Sequence, residues 1–279
     1  MPLPLVASIA SFWLLLSFVS LEASLQLAWR EAPWFPVAFE MQPELQWRCQ
    51  RYERLTSEER SLEHHSRDHF GQLYGSFTWW NDWEVAAAYS VASTTTHRFL
   101  HSDQLFLRCR YLLLDDVVGD PVSLTMGVAI YQTFGWSRSD PSCFSHGAIA
   151  TELQCAVGKE WGALLDWRYR SWLVATLGVG DHGSAYGRAC FGSEYHADEG
   201  AQWGLAIDWL SGCGHEQLSL DTFSGYGSLR HRRCDGQLYG RCPLGEGVIS
   251  VGYSYCFYAK NSPVHARQFW LSYLYPFGP

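Results

Sequence analysis

Three features of this 279-residue sequence predict an all-β chain closed into an antiparallel transmembrane β-barrel of about twelve strands. Apolar side chains recur at every second position through one segment after another, the period of a strand with two unlike faces. The positions between them are rich in Gly, Ala and Ser, whereas a water-facing sheet carries more Lys, Glu and Asp. Tryptophans gather at segment ends, Trp79, Trp80 and Trp83 at one turn and Trp161 and Trp167 near another. That is the placement of an interfacial girdle. The competing architecture is a soluble β-sandwich with its apolar face inward, which would make the protein a secreted binding module.

The elements follow in order. From Phe39 to Cys49 the odd positions are apolar and the even ones are Glu40, Gln42, Glu44, Gln46 and Arg48. Leu73, Gly75, Phe77 and Trp79 then alternate with Tyr74, Ser76 and Thr78. After a turn at Asn81-Asp82, Trp83, Val85, Ala87, Tyr89 and Val91 oppose Glu84, Ala86, Ala88 and Ser90, which makes a hairpin. Leu105, Leu107, Cys109, Tyr111 and Leu113 oppose Gln104, Phe106, Arg108 and Arg110; "DDVVGDP" turns the chain into Val122–Ile130. The second half continues with strands at 149–157, 173–179, 185–196, 203–209, 249–257 and 269–277, while 215–228 loses the rhythm. Each is near the ~10 residues a membrane strand requires. The connections 55–68 and 132–147 are long and polar, and the first, with His64, His65 and His69, is expected as a solvated outer loop.

Composition agrees with a lipid-facing surface. Charged residues are 17% of the chain, against about 25% in soluble domains, and aromatics are 16%. The net charge of -8, with only Lys159 and Lys260 beside the arginines, excludes a nucleic-acid binder. Residues 3–21 are an apolar run followed by Glu22-Ala23-Ser24, so 1–23 is expected to be a signal peptide, with an uncleaved membrane anchor as its rival. Residues 24–38 are then an N-terminal periplasmic segment and 39–279 the barrel. Nine cysteines without a CxxC give no zinc or redox pair, and neither metal nor cofactor is expected. Cys234 and Cys242, eight apart in one Gly-rich segment expected as a loop, are the candidate disulfide.

The final strand carries a resemblance. Phe269, Leu271, Tyr273, Tyr275 and Phe277 match, position by position, the aromatic C-terminal strand of Gram-negative outer-membrane β-barrel proteins, which the chain resembles as a pattern. In that family the terminal aromatic is last, whereas here Gly278-Pro279 follow Phe277. The resemblance implies residence in the outer membrane, contact with membrane lipid, and recognition of this strand by the outer-membrane assembly machinery.

Parity turns Glu44, Arg48, Glu84, Arg108, Arg110, Glu152, Arg188, Glu194 and Asp208 toward the lumen. Charges of both signs there either line a water-filled pore or pair and fill it. Arginine, with its fixed fork of donors, suits pairing. The expected function is that of a pore or a surface component, with no catalytic residue and an unknown solute. A barrel lipid hydrolase is the alternative from another class, resting on Asp181, His182 and Ser184 in "DHGS" or Ser145 and His146 in "FSHG".

Overall fold

The computed structural model describes residues 27–57, 61–163, 166–181, 183–197 and 200–278; the expected signal peptide lies outside them. Its strands are β1 (Met41–Thr56), β2 (Ser61–Trp79), β3 (Trp83–Ser93), β4 (His101–Leu114), β5 (Ser123–Thr133), β6 (Ile149–Ala163), β7 (Asp166–Gly180), β8 (Ala185–His196), β9 (Gln202–Gly212), β10 (Arg232–Leu244), β11 (Gly247–Lys260), β12 (Ser262–Val264) and β13 (Arg267–Leu274). Each of β1 to β10 pairs antiparallel with the next. β13 pairs with β11 on one side and with β1 on the other, from Glu44↔Leu274 to Arg51↔Arg267, which closes the sheet. β12 meets β1 in that same register, Arg54↔Val264, so β12 and β13 are two pieces of one strand. The result is a twelve-strand antiparallel barrel with no free edge in the bilayer.

Its faces are inverted relative to a soluble sandwich. Along β3 the odd residues are exposed and the even ones buried. Outward side chains such as Leu45, Leu73, Leu153, Leu177 and Leu238 are 58–70% exposed, an apolar belt that only lipid can cover. The start of β1, the end of β13 and the tight turns after β2 and β10 lie at one end, the periplasmic one by the rule that short turns face that side. At this rim Trp83 packs on Tyr111 (ring centroids 4.8 Å) and Trp161 on Tyr169 (5.2 Å). The sandwich reading falls with this geometry.

Parity makes a sharp test. Leu107 faces outward in β4, and Leu107→Arg should destabilise the inserted barrel by about 2–4 kcal/mol if it sits near the bilayer midplane. Arg108→Leu, one residue on and 2% exposed, should leave insertion intact. Unfolding of both variants from lipid vesicles in urea measures the difference; equal tolerance would mean that the belt is misplaced.

Three expectations are corrected. Most of 55–68 is strand, since β1 runs to Thr56 and β2 starts at Ser61. The 19 residues of β2 are nearly twice what a bilayer needs, so this hairpin projects beyond it. Cys234 and Cys242 lie in β10, not in a loop, and both are free thiols. Eight residues along one strand separate them by about 26 Å, far beyond the span of a disulfide. Finally, the described part of 24–38 does not stand in the periplasm: Leu27–Pro33 is buried inside the barrel.

Candidate functional site

The lumen is filled from both ends, and the filling is where function must lie. From the periplasmic side, Ala28–Glu31 forms one 3₁₀ turn whose four residues are all buried. Trp29 wedges between Tyr239 and Trp270, with ring centroids 4.8 and 4.9 Å away. Arg30 donates from Nε to Glu44 (2.9 Å) and from Nη1 to Gln72 (2.6 Å), and lies 4.2 Å over the Tyr74 ring. Glu31 accepts from Arg188 Nη1 at 2.6 Å and Gln154 Nε2 at 3.3 Å. Wall arginines also donate to the segment's backbone, Arg108 to Arg30 O and Arg110 to Ala32 O, each at 2.8 Å. Trp34 donates from Nε1 to Asp116 (2.9 Å), in the turn between β4 and β5. Gly158 leaves room for it: a Cβ there would sit 2.7 Å from Trp34 and 2.8 Å from Pro33.

These contacts read as a seated plug. Neighbours on the wall pair its charges, as a buried ion requires in a low-dielectric interior, although Arg30 Nη2 and Glu31 Oε2 stay without a hydrogen-bond partner. Pairing continues around the wall. Glu84 holds Arg108 and Arg110, and Arg188 forks onto Asp208 as well as onto Glu31. Arg170 pairs with Glu194, which also accepts from Tyr239 Oη at 2.8 Å. Glu152 takes hydroxyls from Tyr131 (2.7 Å) and Tyr186 (2.9 Å). Arg48 lies over the Phe70 ring at 4.2 Å. Of the charged residues named from parity, Glu84 meets Arg108 and Arg110, Arg188 meets Asp208, and Glu44 and Arg188 meet the plug.

The opposite end is closed by two loops, 134–148 and 213–231. Leu218, Phe223, Tyr226 and Leu229 from the second are buried with Tyr52, Leu55 and Cys256 of the wall. Tyr226 stacks on Phe144 of the first loop (4.0 Å, 16°), donates from Oη to Pro141 O (2.8 Å), and gives its backbone N–H to Ser145 O. The first loop is held to the wall through Thr94 Oγ1, which donates to Asp140 (2.6 Å), and Ser137 Oγ, which donates to Asp103 (2.7 Å). Between plug and loops remains a cavity of about 60 Å³, bordered by Arg48, Glu152, Arg188, Asp208, Arg233 and Asp235. That volume holds a few waters.

Of the hydrolase candidates, Ser145 and His146 do not pair. Ser145 Oγ has no hydrogen-bond partner and so does not engage His146, whose Nε2 meets His231 instead. Asp181 accepts from the backbone of Ala148 at 2.9 Å, and His182 lies outside the described residues. The C-terminal residues Phe269, Leu271, Tyr273 and Phe277 are exposed on the outer face, where β13 completes the belt.

What parity alone missed is the plug (Trp29, Arg30, Glu31, Trp34), the wall partners Arg170 and Tyr239, and the two closing loops. A signal was present. Trp29, Trp34 and Phe35 crowd a short segment expected in water, where so much aromatic surface is unfavourable.

No protein-family profile matches the sequence, and neither does any curated protein. Solved structures do match in shape. An outer-membrane channel from Pseudomonas putida F1 superposes with a TM-score of 0.65 at 11% identity, covering 92% of this chain and all of that one. The NanC porin superposes at 0.50 and 10% identity, covering 82% of this chain and 98% of its own. At such identities the likeness is one of fold, that of a closed outer-membrane barrel. With its apolar belt, the chain has the closed β-barrel fold that these outer-membrane proteins share.

Proposed function

We propose that the protein is an outer-membrane channel kept closed by its own N-terminal segment. The observation that carries this reading is the seating of Leu27–Phe35 in the bore. It is held by two arginine–carboxylate pairs, Arg30–Glu44 and Glu31–Arg188, and by aromatic packing, with no covalent bond to the wall. A structural lattice meant to last would gain from an apolar fill, because buried ion pairs add little net stability over well-packed hydrophobic residues. Ion pairs instead leave polar walls behind when the segment withdraws, which suits an aqueous path. Lipid coats the outer face, and the aromatic last strand serves the assembly machinery.

Conductance in a planar bilayer tests the idea. The full chain should stay nearly silent, and the same protein lacking residues 27–38 should conduct whenever the loops 134–148 and 213–231 part, with openings far more frequent than in the full chain. Silence from both would favour a purely structural surface component. A lipid-release assay on the full chain addresses the hydrolase alternative, and no release above a heat-treated control is expected.

A further inference from the structure

The two outer loops meet on a pair of histidines. His146, in the 134–148 loop, and His231, ending the 213–231 loop, are 1% and 0% exposed, and their Nε2 atoms are 3.2 Å apart. Nδ1 of His231 lies 3.2 Å from Leu229 O, which can only accept, so that nitrogen carries the hydrogen. Nε2 of a neutral His231 is then bare, and the hydrogen of the shared contact belongs to His146 Nε2. His146 Nδ1 is bare in turn, and it is buried without a partner. Both rings are therefore neutral, each in one tautomer.

Protonation of either ring breaks this arrangement. A second hydrogen on His231 would face the N–H of His146, unless that proton moves to His146 Nδ1, which is buried without a partner. One on His146 Nδ1 would find no acceptor, and the charge would sit in a dry site. The surroundings offer only the backbone of Leu229 and Tyr226 beside His231. Tyr186 of β8 stacks on His146 at 3.7 Å, with its hydroxyl turned away to Glu152, and Phe144 and Tyr226 present edges to His231 at 5.5 Å. Beyond them, Arg233 lies over Phe144 at 5.8 Å and Asp181 is committed to Ala148 N. Among the described residues no carboxylate bonds either ring. At Gly212 a Cβ would be 2.2 Å from the His231 ring, so β9 packs against it with no space for water.

We propose that these loops are an acid-released lid: losing the neutral His146–His231 contact separates 134–148 from 213–231 and opens the outer mouth. Burial first, and His231 second, hold His146 well below the ordinary histidine range, and burial pushes His231 down to about 4. Because both values are depressed, the closed lid is favoured above the ordinary value near 6.5 and weakens as pH falls from there toward 4. His231 alone shifts the closed–open balance roughly thirtyfold between pH 7.5 and 5. That the lid gates a current rests on the channel reading; the lid movement itself does not.

Amide hydrogen exchange on the refolded full chain, corrected for intrinsic rate, tests the movement. Peptides from both loops should lose protection roughly thirtyfold at pH 5 relative to pH 7.5, while β6 and β7 stay protected. The variant His146→Gln/His231→Gln, which does not titrate, should show the same loop protection at both values. If it does not refold, His231→Gln alone replaces it and should show a smaller response than the natural protein. Equal protection of the natural loops at both pH values, or an undiminished response in the variants, overturns the lid. Conductance of the form lacking residues 27–38, with acid on the loop side, separates the two ideas: deprotected loops without current uphold the lid and overturn the channel reading.

Discussion

A chain lacking residues 267–279 should fail to form a barrel at all. The deletion removes β13, which carries eight paired positions against β1 and eight against β11. Both of those strands would then present unpaired N–H and C=O groups to hydrocarbon, at several kcal/mol for each group. Trp270 leaves as well, and with it half of the slot that receives Trp29. Trimming only Gly278-Pro279 should be harmless, because the last backbone bridge joins Phe277 to Met41. The inserted form is scored by its faster migration in SDS before boiling, for the full chain, the short trim and the long deletion. If the long deletion still inserts and resists protease, β13 does not close the barrel.

Glu31→Lys should expel the plug without unfolding the barrel. The carboxylate is 1% exposed and accepts from Arg188 and Gln154, so the substitution sets a second cation against Arg188 in a buried site. Breaking a buried pair in this way costs about 3–5 kcal/mol, more than a segment held by so few contacts is expected to retain. Arg188 itself keeps Asp208, which leaves the wall satisfied. The variant should insert and shift with heat like the natural protein, yet conduct like the form lacking 27–38. Glu31→Gln, which can still accept a hydrogen bond, should lie between the two. A Glu31→Lys channel as silent as the natural one would show that this pair does not hold the plug.

How much of this was legible depended on the local environment of each strand. β3 could be read directly, because its outward residues meet lipid and its inward ones are small or charged, so the two-residue period survives in composition. The aromatic last strand was legible for the same reason. β10 was not: its outward positions include Arg232, Gly236 and Gly240 while Arg233, Asp235, Gln237 and Tyr239 fill the inside, which blurs the contrast. The upper parts of β1 and β2 were lost because they project past the bilayer, where outward side chains such as Arg51 and Glu53 meet water.

By itself, then, the sequence determined a closed barrel, its lipid face and the parity of its charges, since all three follow from a short-range period imposed by lipid on one side. Only the tertiary structure decided what those inward charges face. The partners of Glu44, Arg188, Tyr239 and Trp270 come from a segment with no strand period. The histidines that join the lid are 85 residues apart. Pairings of this kind arise when the closing sheet brings distant side chains into one dry space, where each buried charge must find an opposite charge or a donor. That requirement has no local signature along the chain.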